Sequence, residues 1–132
     1  MIKPKRFSAV VLAVRDVERS AAWYKEKFGF EKLYDDAPNS PGVVIGRDGI
    51  ELCLNPLDDP GSATDVDTKH QACIQLFCLE VEDSDLERIA EEFAEDHDIV
   101  VLDEHPKYRS RIVEDPDGHS IELIVKKSIP MC

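Results

Sequence analysis

Positive charge is scarce in this chain. Sixteen Lys and Arg stand against 28 Asp and Glu, a formal net charge of -12 at pH 7. Nucleic-acid binding needs clustered Lys and Arg to neutralise phosphates, so this balance argues against it. It argues equally against an anionic membrane surface. It permits a cationic ligand, although acidic surfaces ordinarily serve solubility. Long apolar runs are lacking too. The stretch Phe7 to Val14 follows Lys3, Lys5 and Arg6 as in a secretory leader, but Arg15 and Asp16 come directly after it, where a small-residue cleavage site would stand. It is also far shorter than the roughly 20 residues that cross a bilayer. The four cysteines, Cys53, Cys73, Cys78 and Cys132, contain no C-x-x-C pair, the spacing of zinc sites and redox dithiols. Cys53, Cys73 and Cys78 lie in apolar segments, where a thiol behaves as a small hydrophobe. They are read as reduced and the protein as cytoplasmic, with Cys132 exposed at the end.

What is present suits one globular domain. The 132 residues are 42% hydrophobic and 33% charged, enough apolar side chain for a core. Phe7 to Val14 reads as a buried strand. Asp16 then caps a helix whose apolar face is Val17, Ala21, Tyr24 and Phe28, and Gly29 ends it. An aromatic group such as Trp23, Tyr24 and Phe28 is core material. Phe30 to Tyr34, Val43 to Gly46 and Ile50 to Leu54 read as strands, with a turn at Arg47-Asp48-Gly49. The polar stretch Asp58 to Lys69 reads as a loop.

The second half repeats the order. Ala72 to Val81 is a predicted strand, and Ser84 with Glu87 suggests a capping box for a helix carrying Leu86, Ile89, Ala90 and Phe93. Ile99 to Leu102, Arg109 to Val113 and Ile121 to Val125 complete the strands, the last two joined by the turn Asp115-Pro116-Asp117-Gly118. Val14-Arg15-Asp16 and Val81-Glu82-Asp83 both pass from strand to helix. Ile50-Glu51-Leu52 and Ile121-Glu122-Leu123 both close a module. The predicted fold is therefore α+β: two βαβββ modules, about 7–56 and 72–127, joined by a loop at 57–71. They are expected to form a cup-shaped mixed sheet with helices outside and a cleft between the modules.

Glu51 and Glu122 are the sharpest feature. Each lies in an apolar strand between Ile and Leu, and alternation turns it to the face opposite those neighbours. If the apolar neighbours pack under the helices, both carboxylates point to the concave side. Convergent carboxylates bind a divalent cation, move a proton or pair with a cationic group. The plainer alternative is two strand glutamates facing water. Tyr108 and Arg111 approach the final strands, and an Arg on the cleft face would hold an anionic group bidentately. The alternative for Arg111 is a surface ion pair.

The segments Val11 to Ser20, Trp23-Tyr24, Phe28-Gly29-Phe30, Val113 to Gly118 and Ile121 to Ile124 resemble the vicinal oxygen chelate superfamily, which includes glyoxalase I, bleomycin-resistance proteins, fosfomycin-resistance proteins and extradiol dioxygenases. The second group of segments is especially similar to bacterial glyoxalase I. The resemblance runs from Phe7 to Val125 and implies paired βαβββ modules and a homodimer. Its glyoxalase branch implies a metal held by His on the first strand, Glu on the fourth, His on the fifth and Glu on the eighth. Counted back from the helix-opening acids, the His positions fall at Ala9 and at Leu76, or at Ile74 if a gap is closed. The Glu positions match Glu51 and Glu122. Neither His is present, and the extradiol and fosfomycin patterns fail on the same absences. His70, His97, His105 and His119 occupy none of these positions.

The expected function is binding of a small organic molecule in the cleft, with Glu51, Glu122, Arg111 and Tyr108 as contacts and no metal or other cofactor. An amine-bearing ligand would complement two carboxylates. The alternative is a divalent-metal-dependent, lactoylglutathione-lyase-like enzyme or a related isomerase acting next to a carbonyl, with Glu51 and Glu122 as metal ligand or base.

Overall fold

The computed structural model describes residues 1–36, 41–57, 75–93 and 99–127. The chain divides into two compact units, Met1–Val66 and Asp67–Cys132. The predicted loop from Asp58 to Lys69 lies outside the described residues, as do Cys73, Ile74, Cys132, His70 and His97.

In the first unit, β1 (Val10–Val14) leads into α1 (Val17–Phe28), followed by β2 (Glu31–Asp35), β3 (Val43–Arg47) and β4 (Ile50–Pro56). The sheet order is β1-β4-β3-β2, with β1 parallel to β4 and the other pairs antiparallel. The first strand is shorter than its apolar run: pairing begins at Val10, and Phe7 stands exposed. Strict alternation in β1 decides which face is covered. Leu12 and Val14 are buried with Leu52, Leu54 and Ile45 on the side of Tyr24 and Ser20, while Val11 and Ala13 face away and are exposed. Tyr24, Phe28 and Phe30 form a ring cluster in that core, Tyr24 and Phe30 lying parallel at 6.2 Å.

The ends of α1 follow the predicted chemistry. Asp16 accepts a hydrogen bond from the Arg19 backbone N–H at 3.1 Å, and Gly29 closes the helix at φ 71°. Asp16→Ala removes the acceptor for that N–H. It should cost about 1 kcal/mol, seen as a lower urea midpoint with an unchanged slope. The hairpin between β3 and β4 turns on Asp48 and Gly49, both at positive φ, as a two-residue turn of this hand requires.

The second unit repeats the plan. β5 (Phe77–Glu80), α2 (Asp83–Glu87), α3 (Ile89–Glu92), β6 (Val100–Leu102), β7 (Tyr108–Glu114) and β8 (Ser120–Lys126) give the sheet order β5-β8-β7-β6. Ile121, Leu123 and Val113 are buried on the same side as Leu86, Ile89 and Phe93. Two four-stranded mixed sheets, each with its helical layer, make the chain α+β with twin βαβββ units.

The second helix departs from expectation. It begins at Asp83, so Ser84 falls inside the first turn, and the N-cap residue Glu82 makes no side-chain cap bond. No capping box forms. Arg88 separates α2 from α3 and pairs with Asp85 and Glu92 on either side. The turn before β8 is as predicted. Asp115 accepts from the Asp117 and His119 N–H groups at 2.9 Å each, and Gly118 takes φ 84°.

Candidate functional site

Register fixes where Glu122 points. On β8 it lies level with Cys78 of β5 and Ile112 of β7, and its neighbours Ile121 and Leu123 fill the helix-covered core. Glu122 therefore occupies the helix-free face, as alternation predicts, yet it is only 8% exposed. Both of its carboxylate oxygens accept from adjacent strands. The buried Ser110 hydroxyl donates to Oε2 at 2.9 Å, and the Cys78 thiol donates to Oε1 at 3.3 Å. Among the described residues these neutral groups are its partners, set on a face otherwise apolar at Ile112 and Ile124. Cys78 is not the core hydrophobe that its apolar neighbours suggest. Cys78 is exposed as a residue, but partial desolvation of its thiol, then the hydrogen bond to Glu122 and the charge it carries, push the thiol up to about 11.

Glu51 takes the equivalent place in the first unit but a different setting. On β4 it lies level with Gly46 of β3, on the face away from α1. It is half-buried and accepts from the Tyr34 phenol at 3.1 Å. Tyr34 belongs to β2, two strands away, and reaches Glu51 through two backbone devices. The first is a bulge in β2: pairing jumps from Lys32↔Ile45 to Tyr34↔Val44, which moves Tyr34 onto the face of Glu51. The second is Gly46 of β3. A Cβ there would lie 1.8 Å from the Ile50 carbonyl oxygen, so β3, which carries Val44 level with Tyr34, carries no side chain level with Glu51. The bond to Glu51, followed by burial and the charges of Glu51 and Asp36, raises the Tyr34 pKa and keeps the phenol a donor.

The remaining predicted residues separate. Arg111 pairs with Leu123 in register, so it lies on the helix-covered face and not with Glu122. Its guanidinium donates to Asp103 at 2.7 Å and holds that carboxyl below its ordinary range. The parity of β7 relative to β8 decides this, and it is not visible in β7 alone. Tyr108 shares the Glu122 face but lies level with Lys126, four register pairs further along, with its ring stacked on His105 at 3.9 Å. A depression of about 660 Å³ between α2 and the ends of β7 and β8 includes none of the predicted contacts. Arg109 borders it and is engaged by Asp83 and Glu87.

Sequence reading missed Cys78, Ser110 and Tyr34. The lone signal for any of them is Gly46, a glycine within a Val-rich strand, which marks close approach of another chain segment.

The divalent metal implied by the glyoxalase resemblance does not fit the residues present. Continuing the β1–β4 register places Ala9 level with Glu51, and its methyl offers no lone pair. In β5, Leu76 comes level with Ser120 while Cys78 comes level with Glu122, and that thiol keeps its proton well above neutrality. Both Glu122 oxygens and one of Glu51 already accept from protein donors. Among the described residues no group of three or more His, Cys, Asp and Glu is placed to hold an ion.

No helix among the described residues is long and apolar enough to cross a membrane. No curated protein matches the chain. Solved structures do. A glyoxylase/bleomycin resistance protein/dioxygenase domain from Frankia sp. EAN1pec is 21% identical, covers 95% of this chain and 100% of its own, and has a TM-score of 0.77. A fosfomycin resistance protein from Mesorhizobium loti is 18% identical over 95% of each chain at 0.66. A lactoylglutathione lyase from Agrobacterium tumefaciens is 20% identical over 92% of this chain and 94% of its own at 0.64. At such identities these likenesses establish the fold. The family model described as the Glyoxalase/Bleomycin resistance protein/Dioxygenase superfamily matches residues 6–123. The chain belongs to that superfamily.

Proposed function

We propose that the chain binds a small organic molecule carrying an amine or other cationic group on a helix-free sheet face, with Glu122 as the polar anchor in the second unit and Glu51 as the equivalent carboxylate of the first. Glu122 carries the reading. A carboxylate that is 8% exposed and held by two neutral donors has its geometry fixed and its charge uncompensated among the described residues. Burying such a charge is costly, and a cation brought by a ligand offsets the cost. Each carboxylate oxygen still has lone-pair capacity beyond the donor it already accepts. Ile112 and Ile124 offer apolar contact beside it, with Tyr108 further along the same face.

Binding proceeds without a metal in this reading, because Ala9 and Leu76, where the family has its His ligands, offer no lone pair, and the Cys78 thiol level with Glu122 keeps its proton. The relatives named as a fosfomycin resistance protein and a lactoylglutathione lyase show that the fold serves both resistance and catalysis, so the site must decide.

Thermal denaturation tests the proposal. Cationic drug-like compounds at about 100 times their Kd should add nearly 3 kcal/mol to the stability, a rise of several degrees. Mg²⁺, Mn²⁺, Ni²⁺ and Zn²⁺ should give no stoichiometric stabilisation. Glu122→Gln should abolish the response to the compounds. Tight binding of one metal with no response to cations would instead favour a metal-dependent, lyase-like isomerase.

A further inference from the structure

We propose that Tyr34 and Glu51 form a recognition corner for an organic ammonium group, in which the Tyr34 ring is the surface that separates a cation from a neutral molecule of the same shape. The inference rests on the small-molecule reading above and assigns a ligand class to the first unit.

Tyr34 is 48% exposed on an edge strand, and core packing does not account for its position. Two independent features of the backbone bring it to Glu51. The β2 bulge turns it onto that face, and the bare Cα of Gly46 clears its path across β3. Gly46 also lets β3 approach β4, but the bulge has no such duty: most of the core lies on the other side of the sheet, with only Val44 and Cys53 among the described buried apolar residues on the face of Tyr34. Their joint product is an aromatic ring fixed beside a carboxylate by a 3.1 Å hydrogen bond.

That arrangement has a definite chemistry. The ring quadrupole presents a negative face, and a phenol that donates to a carboxylate becomes more electron-rich. Asp36 adds negative charge nearby and, with Glu51, raises the phenol pKa. An alkylated ammonium suits the corner better than a primary amine or a metal ion. It contacts the ring through its methyl groups and the carboxylate through its charge, and it gives up little hydration in doing so. A neutral isostere would receive the same dispersion and none of the electrostatic attraction.

The test uses choline and its carbon isostere 3,3-dimethyl-1-butanol on the full chain. Binding is followed by the ring signals of labelled tyrosine and by relaxation of the probe's methyl groups. Choline is expected to shift the Tyr34 ring signals saturably, and the isostere to bind at least tenfold more weakly. Tyr34→Leu should weaken choline at least fivefold, and Glu51→Gln about tenfold. Tyr34→Phe keeps the ring but loses the hydrogen bond that fixes and enriches it, so it should weaken choline by less than Tyr34→Leu does. Tyr34 is exposed and the change at half-buried Glu51 is isosteric, so all three variants should fold, which circular dichroism verifies. Equal binding of the two probes, or choline binding indifferent to Tyr34→Leu, overturns the corner. So does the absence of a saturable shift in the unsubstituted chain. The thermal response at Glu122 is read on a different carboxylate, so it reports separately on the wider binding reading.

Discussion

Gly46→Ala is expected to destabilise the first unit by about 3 kcal/mol or more, enough to leave much of it unfolded at 37 °C. The added Cβ would sit 1.8 Å from the Ile50 carbonyl oxygen and 2.9 Å from its carbon. Both atoms are backbone, so no rotamer change relieves the clash, and β3 must separate from β4 at the centre of the sheet. Two other glycines provide a scale. At Gly42 the obstacle is the Asn55 side-chain oxygen, 2.2 Å away, which can rotate aside. At Gly49 there is open space but φ is 86°, a conformation that costs an alanine roughly 1–2 kcal/mol. Urea unfolding of the three variants should rank Gly46→Ala far below the others. A Gly46→Ala midpoint close to that of Gly49→Ala would mean that the strands part easily and that β3 does not hold Tyr34 and Glu51 in place.

Glu122→Gln should accelerate alkylation of Cys78 by iodoacetamide about tenfold at pH 8, at a site that is otherwise nearly inert. The thiolate is the reactive form, and a thiol pushed from 9.0 to about 11 is ionised in roughly one molecule in a thousand at pH 8. Removing the carboxylate charge lowers the thiol pKa part of the way, because burial, the largest cause, remains. The midpoint of the rate-against-pH profile should therefore move down without reaching the ordinary thiol range. The same linkage acts on stability. The raised pKa favours the protonated native thiol, so this contribution is complete below about pH 9 and is lost as pH climbs toward 11. Alkaline destabilisation across that window should be weaker in Glu122→Gln. Peptide mapping of the alkylated protein assigns the reaction to Cys78. An unchanged midpoint would show that thiol and carboxylate do not interact in solution.

The local parts of this fold are readable because local chemistry decides them. Asp16 and Gly29 bound α1, Asp48-Gly49 turns one hairpin and Asp115 to Gly118 another, each through residues at most a few positions apart. Alternation within single strands was enough to turn Glu51 and Glu122 away from the core. What failed depends on how strands align with one another. Arg111 was a candidate contact for a ligand, but pairing with Leu123 puts it under the helices. Cys78 sits beside Glu122 through the register of two strands more than forty residues apart, which no short pattern encodes. Tyr34 changes face at an irregularity in β2 whose only cue is indirect, the glycine on the strand beside it. Ser84 failed for a smaller reason: the helix starts two residues earlier than the motif requires.

The pairing order within each sheet also governs how the chain comes off the ribosome. The first strand of either unit finds its hydrogen-bonding partner in the last strand of that unit, roughly forty residues later, whereas the intervening hairpins close over short spans. During synthesis β1 must wait, its Val-rich edge unsatisfied, until β4 has cleared the exit tunnel, and β5 must wait in turn for β8. Truncation just before either closing strand would leave a nascent chain with a helix, a hairpin and one sticky orphan strand. That is the species a holding chaperone would be expected to grip.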